Sequence, residues 1–170
     1  LNGIATCVSQ SEDLRLSDFT LAVLPVGSGN DWVKSAGVPR DLSQAVKLIA
    51  EARTSRQDVV RVSVLDDGGK SVCDSYMANV GGIGLDARVC EIVNKKKEHG
   101  HRGRILYVKA LLYCIKHRVP IKARVICDGV EVFDGKYLSM AFGIGKYSGG
   151  GMRQTPLAVM DDGLLDVVIL

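Results

Sequence analysis

The sequence predicts a mixed chain, α/β over its first third and β-rich with antiparallel strands over the rest. Three observations predict it. An apolar run, Leu21–Leu24, stops at Pro25, passes through the glycine turn Gly27-Ser28-Gly29 and opens a helix, which is the strand-then-helix order of α/β architecture. From Ser55 onward the pattern becomes period-two alternation broken by Asp-Gly pairs, the signature of hairpins. Between those strands two helical stretches are inserted over residues 86–118. The domain boundary is therefore expected near Thr54, with residues 1–54 in the first domain and 55–170 in the second.

Taken in order, Leu1–Val8 reads as the end of a helix and Ser9–Asp18 as a polar loop. Leu21–Leu24 reads as a strand, and Asp31–Ala36 as a short helix closed by Gly37-Val38-Pro39. Asp41–Arg53 carries Leu42, Ala45, Val46, Leu48 and Ile49 at helical spacing behind an acidic start, the pattern of an amphipathic helix. Strand alternating with helix argues for a parallel sheet in this part. Ser55–Leu65 alternates, with Val60, Val62 and Val64 on one face, and Asp67-Gly68-Gly69 turns it into a returning strand, Lys70–Val80. That strand is expected to end at Gly81-Gly82-Ile83-Gly84. Asp86–Lys97 and Arg104–Arg118 read as helices separated by a basic loop. Strands follow at Ile121–Cys127, Val130–Phe133, Lys136–Ile144 and Leu164–Leu170, with turns at Asp128-Gly129 and Asp134-Gly135.

At 170 residues and 46% apolar composition the chain is long and apolar enough for a sizeable core. Its net charge of +3 implies no general polyanion partner. Its apolar runs fall far short of the roughly 18 residues that span a bilayer. The five cysteines are scattered and form no Cys-x-x-Cys pair, so reduced, buried thiols are expected rather than a disulfide framework or zinc site.

Four stretches carry candidate chemistry. Gly27-Ser28-Gly29-Asn30-Asp31 joins a strand to a helix start, where glycines let the backbone approach a phosphate and free N–H groups favour an anion. A tight turn with Asn30 or Asp31 as N-cap explains the same residues. Asp31 would repel a bare phosphate, so it should cap the helix or face a magnesium ion or a sugar hydroxyl. Asn79–Asp86 lines a ligand cleft or simply turns the chain. Gly149-Gly150-Gly151 costs much chain entropy, which points to close backbone contact or motion; Lys146 beside it reaches a phosphate or is solvated. Val159–Leu164 holds two acids before a glycine, suited to a hard cation or to a plain turn. The basic run Lys95-Lys96-Lys97 with His99, His101, Arg102 and Arg104 meets anionic lipid or nucleic acid, or is a solvated helix end.

Pro25–Asp31, Asn79–Ala87, Gly149–Met152 with Pro156, and Asp161–Asp166, in that order, resemble the signature of the diacylglycerol kinase-like lipid kinases. That group includes bacterial lipid kinases, is similar to the sphingosine and ceramide kinases, and is more distantly related to the NAD kinases. The resemblance implies an N-terminal α/β nucleotide-binding domain and a C-terminal antiparallel β-sandwich-like domain with ATP between them. It implies that Gly27, Ser28, Gly29, Asn30 and Asp31 belong to the nucleotide site, Ser28 making a hydroxyl contact to ATP. It implies Mg2+ at the carboxylate of Asp162 and the backbone carbonyls of Val159 and Leu164, oxygen donors that suit a hard cation. The implied partners are ATP and a lipid such as diacylglycerol, met by a cytoplasmic enzyme peripheral to the membrane. The β-rich domain would pocket the acyl chains and the basic run would meet headgroups. No nucleic-acid partner is implied, and a homodimer is compatible.

Two elements of that signature are not in this sequence. The phosphate-binding motif Gly-Gly-Asp-Gly-Thr would precede the helix that Leu1–Ala5 finishes, and the catalytic acid would follow Leu170. Where relatives carry an asparagine before the glycine run, this chain has Ile144 or Gly145. The expectation is thus a fragment of a lipid kinase, with catalytic residues unassigned and phosphoryl transfer beyond its own means. An NAD kinase-like kinase of a soluble nucleotide and a non-catalytic nucleotide- or lipid-binding module are the alternatives.

Overall fold

The structure is a computed structural model that describes residues 1–27, 29–98 and 104–170. In chain order its elements are α1 (Asn2–Ser9), a 3-10 turn (Leu16–Asp18), α2 (Asp31–Ser35), α3 (Leu42–Ala50), β1 (Val60–Leu65), β2 (Ser71–Met77), β3 (Val80–Gly84), α4 (Leu85–Glu98), α5 (Arg104–Lys116), β4 (Ile121–Cys127), β5 (Val130–Tyr137), β6 (Ser139–Gly143), β7 (Tyr147–Ser148), β8 (Met152–Arg153) and β9 (Asp166–Ile169). They fall into two compact units. One is Leu1–Val80 with Gly143–Asp166; the other is Gly81–Phe142 with Val167–Leu170.

In the first unit α1 buries Ala5 and Val8, and its Asn2 side chain accepts the Ala78 N–H at 3.1 Å. Helix α3 starts where Asp41 accepts the Gln44 N–H at 2.9 Å, an N-cap that satisfies one of the free donors of the first turn. Of its apolar positions Ala45 is buried, while Leu42, Val46 and Ile49 are exposed in this chain. Strands β1 and β2 form an antiparallel hairpin from Val60↔Met77 to Leu65↔Ser71. Its turn is closed by the Asp66 carboxylate, which accepts from Gly68 N and Lys70 N, with Gly69 at φ +79°.

In the second unit α4 and α5 pack through Val89, Val93, Leu106, Ala110 and Cys114, all buried. Strands β4 and β5 form a second antiparallel hairpin. Strands β3, β6 and β9 make a sheet in that order. The reciprocal bonds between Ser139 and Leu170 show that β6 and β9 run antiparallel.

The structure corrects several expectations. Leu21–Leu24 joins no ladder among the described residues, and no parallel pair forms there. An apolar run reports that a segment suits a sheet, but its N–H and C=O groups need a neighbouring strand to pair with. The glycine cluster at 81–84 does not end a strand; it is β3, because β6 pairs along it. Gly84, at φ +77°, would put a Cβ 2.6 Å from Leu138 O, so its bareness serves close packing of backbone. Asp134-Gly135 is not a turn. β5 runs through it because β4 pairs with both residues, Arg124 opposite Asp134 and Ala123 opposite Gly135. Of the five cysteines expected to be buried only Cys114 is; Cys7, Cys73 and Cys90 are exposed. Strand and helix faces, rather than local apolarity, set that exposure. The basic loop's His99, His101 and Arg102 lie outside the described residues.

Candidate functional site

The glycine turn before α2 is held by an asparagine. The Asn30 amide donates to Pro25 O at 2.8 Å and also to Gly27 O. Asn30 itself sits in the left-handed region, φ 48°, which asparagine tolerates better than most residues. It occupies the N-cap position of α2 but makes no capping bond with its side chain. A Cβ on Gly27 would fall 3.1 Å from Asn30 Oδ1, so the fold-back of that amide uses the glycine. Ser28 lies outside the described residues. Around Gly29 the space is open.

Asp31 is the pivot. Its side chain is 12% exposed and its Oδ1 pairs with Lys34 Nζ at 3.0 Å, one turn along α2. Its Oδ2 accepts the Gly150 N–H at 2.7 Å. The carboxylate expected to cap the helix or face a cation or sugar thus ties the first glycine turn to the third. Lys34 Nζ lies 5.6 Å from the centre of the Tyr147 ring, and Arg153 lies 5.5 Å from the same ring. A Cβ on Gly151 would come within 2.4 Å of Lys34 Nζ. Gly149, Gly150 and Gly151 have φ of 59°, 87° and 109°, values that L side chains rarely adopt, so the run is needed as glycine for its backbone shape. It forms the turn between β7 and β8.

Asn79 anchors the approach to that turn. Its carbonyl accepts from Ile144 N at 2.9 Å and Gly145 N at 3.2 Å, and its amide donates to Tyr147 O at 2.9 Å. Its Oδ1 is buried with no partner among the described residues. Ser35, on the last turn of α2, accepts the Lys146 N–H at 2.9 Å. Thr155, fully buried, donates to Gly145 O at 2.7 Å. Asn79, Ser35 and Thr155 thus hold the backbone of residues 144–147, just before the glycine run, where this chain has Ile144 and Gly145.

The acidic segment Val159–Leu164 is pinned from a residue that local pattern does not mark. Asp58 N donates to Met160 O at 2.7 Å, and Asp58 Oδ2 accepts from Gly163 N at 2.7 Å. Within the segment Asp162 Oδ1 accepts from Leu164 N at 3.0 Å, which forms a side-chain turn around Gly163, φ 73°. Gln57, beside Asp58, takes the Trp32 indole N–H at 2.8 Å and donates to Ala78 O at 2.6 Å. Gln57, Asp58, Ser35 and Thr155 are the residues that sequence reasoning missed. Each acts on a residue at least 10 positions away, so no local signal marks it. Among the described residues no group of three or more His, Cys, Asp or Glu side chains is gathered as a metal site. The set Val159, Asp162 and Leu164 expected from the resemblance is of another kind, one carboxylate with two backbone carbonyls.

Residues 79–170 match the YegS C-terminal NAD kinase beta sandwich-like domain, and residues 1–62 match the diacylglycerol kinase catalytic domain. The chain belongs to the diacylglycerol kinase-like lipid kinase family. It is 32% identical to a probable lipid kinase YegS-like protein of Stenotrophomonas maltophilia over 171 residues, covering 100% of this chain and 52% of the relative. It is 28% identical to a diacylglycerol kinase of Mycobacterium tuberculosis over 154 residues, 90% of this chain and 48% of that protein. Among solved structures, a diacylglycerol kinase from Bacillus anthracis aligns at a TM-score of 0.54 and 26% identity, covering 89% of this chain and 44% of the other. A putative diacylglycerol kinase from the same organism aligns at 0.57 and 26%, covering 89% and 45%. The chain spans about half the length of the curated relatives it matches. Within the family's two domain matches, Asp31 and Asp58 fall in the first and Asn79, Gly150 and Asp162 in the second. Among the described residues no helix is long and apolar enough to cross a membrane.

Proposed function

We propose that this chain carries the nucleotide and magnesium loops of an ATP-dependent lipid kinase, which moves the γ-phosphoryl group to the hydroxyl of diacylglycerol or a similar lipid. The observation that carries this reading is the bond from Gly150 N to Asp31 Oδ2, which joins two glycine loops that the family signature places far apart in sequence. Open space beside Gly29 leaves backbone that a phosphate can approach. In this reading Gly27, Ser28, Gly29, Asn30 and Asp31 line the nucleotide. Asn30 fixes the turn, and Asp31 orders the opposite loop. Lys146, three residues before that loop, is a cation proposed to reach the phosphates.

Val159, Asp162 and Leu164 would hold Mg2+ with two carbonyls and one carboxylate, and Asp58 would keep that segment in shape through Gly163. Bound there, the cation neutralises negative charge near the phosphates. Positioning and charge neutralisation are most of what phosphoryl transfer asks of a protein. The proposed division assigns residues 1–54 to the nucleotide-binding domain and 55–170 to the β-rich domain with its insertion at 86–118. The enzyme is proposed to be cytoplasmic and to meet its lipid at the membrane surface.

The test uses protein made from the complete gene, incubated with Mg-ATP labelled on the γ-phosphate and a mixed lipid extract, beside Asp31→Ala and Asp162→Ala variants. Label in the organic phase, lowered in both variants, is the expected result. Label only on an added soluble nucleotide would move the assignment to an NAD kinase-like reaction. A folded protein that labels nothing across a range of lipids would leave a binding module and overturn the catalytic reading.

A further inference from the structure

Gln57, half-buried in the first unit, has a side chain held at both ends of its amide. Trp32, the only tryptophan of the chain, donates its indole N–H to Gln57 Oε1 at 2.8 Å. Gln57 Nε2 donates to Ala78 O at 2.6 Å. An indole nitrogen only donates and a backbone carbonyl only accepts. The amide oxygen must therefore face the indole and the amide nitrogen the carbonyl, and a reversed amide would break both bonds at once. Ala78 is 5% exposed, and its N–H is taken by Asn2 Oδ1 at 3.1 Å, so both backbone polar groups of that buried residue are paired.

Each neighbour of this amide leads to a different loop. Trp32 follows Asp31 on α2, and Asp31 Oδ2 holds Gly150 N. Ala78 precedes Asn79, which holds the backbone of Ile144, Gly145 and Tyr147. Asp58 follows Gln57 in the chain and holds the acidic segment, its N–H on Met160 O and its carboxylate on Gly163 N. The glycine turn, the loop before the glycine run and the acidic segment thus meet at one glutamine and the residue after it. A side chain bonded at both ends of its amide cannot rotate without losing a bond, so it fixes spacing where a single bond would leave play. Group transfer needs such spacing, because a misplacement of about 1 Å can cost ~100-fold in rate.

We infer that Gln57 is a positioning residue of the proposed kinase: through Asp58 it sets the acidic segment, and through Trp32 it sets that segment against the helix that carries the glycine turn. It acts through these two residues rather than on a substrate. The positioning role rests on the kinase reading; the tie between the acidic segment and α2 does not.

The test uses isotope-labelled protein made from the complete gene and follows solvent exchange of two N–H groups, Gly163 at one end of the tie and the single indole at the other. Trp32→Phe removes one donor and keeps a ring; Gln57→Leu removes both bonds. Either change should speed Gly163 exchange about fivefold, the worth of one hydrogen bond, although Gly163 N bonds to Asp58 rather than to either residue. The double variant should stay within about twofold of Gln57→Leu alone, whereas independent effects would multiply to about 25-fold. In the reverse direction Asp58→Ala should speed exchange of the indole N–H about twofold or more, and this variant with Trp32→Phe serves if Gln57→Leu misfolds. Amides of β4 and β5 should keep their wild-type exchange, which separates a local tie from general loosening. In the lipid kinase assay, at equal amounts of folded protein, Gln57→Leu should lower kcat ~10-fold or more and leave the lipid KM unchanged. Unchanged Gly163 exchange, or multiplied effects in the double variant, would overturn the tie. A loosened Gly163 with unchanged kcat would make the tie structural only and overturn the positioning role. A wild type that labels no lipid would remove that role together with the kinase reading, while the exchange measurements still decide the tie.

Discussion

Asp31 Oδ2 accepts a hydrogen bond from Gly150 N at 2.7 Å across 119 residues of sequence. With its side chain 12% exposed and its other oxygen on Lys34, this carboxylate is both an anchor and a partner. Hydrogen bonds to an ionised acceptor are stronger than neutral ones. Replacing Asp31 by alanine should therefore lower unfolding free energy by about 1–3 kcal/mol, because a half-buried N–H loses its acceptor. Asp31→Asn keeps an oxygen for Gly150 and should cost less. Urea unfolding of the two variants checks this; equal losses would assign the effect to the Lys34 pair.

Gly145 stands against Asn79. A Cβ there would meet Asn79 Oδ1 at 2.1 Å and Ser35 Oγ at 3.2 Å. The Asn79 amide is held by the Tyr147 carbonyl, so it gives way only by breaking that bond. Gly145→Ala should destabilise by about 1–3 kcal/mol, as overpacking does. Combined with Asn79→Ala it should cost less than the sum of the two changes, since the clash is then gone. Strict additivity in a double-mutant cycle would contradict this account.

Thr155 is fully buried and its hydroxyl donates to Gly145 O at 2.7 Å. Thr155→Val keeps the shape and removes the donor. The expected loss is about 1–3 kcal/mol by chemical denaturation, the cost of stranding a buried acceptor. Thr155→Ser should retain the bond and most of the stability.

The β1–β2 hairpin carries a pH-sensitive carboxylate. Hydrogen bonds from the Ser63 and Ser71 hydroxyls, then Arg61 at 3.2 Å, hold Asp74 below its ordinary value of 3.8. A depressed folded-state pKa means that the unfolded chain binds the proton more readily. The contribution is present above the ordinary value and is lost as pH falls below 3.8 and through the lower folded-state value. The side chain is exposed, so the effect is small. Melting of wild type and Asp74→Asn should differ at neutral pH and converge in acid; a gap that ignores pH would contradict it.

Much of this was legible in the residues. Asp41 announced the start of α3, and its carboxylate caps it. The alternation of Val60, Val62 and Val64 marked β1, and Asp128-Gly129 marked the second hairpin. Less legible were the segments whose state depends on a neighbour. Leu21–Leu24 has the composition of a strand and no ladder, whereas Asp134-Gly135 has the composition of a turn and lies within one.

The sequence alone determined the family, the mixed α/β and β-rich class, and the glycine and acidic segments that carry candidate chemistry. It could do so because residue type sets local backbone freedom and donor chemistry, and these are properties of short stretches. Only the tertiary structure decided that Asp31 serves Gly150, that Asn79, Ser35 and Thr155 hold the loop before it, and that Asp58 holds Gly163. Those pairings join residues distant in the chain. They are set by which backbone groups packing leaves without a partner, and by which side chains it brings within reach of them.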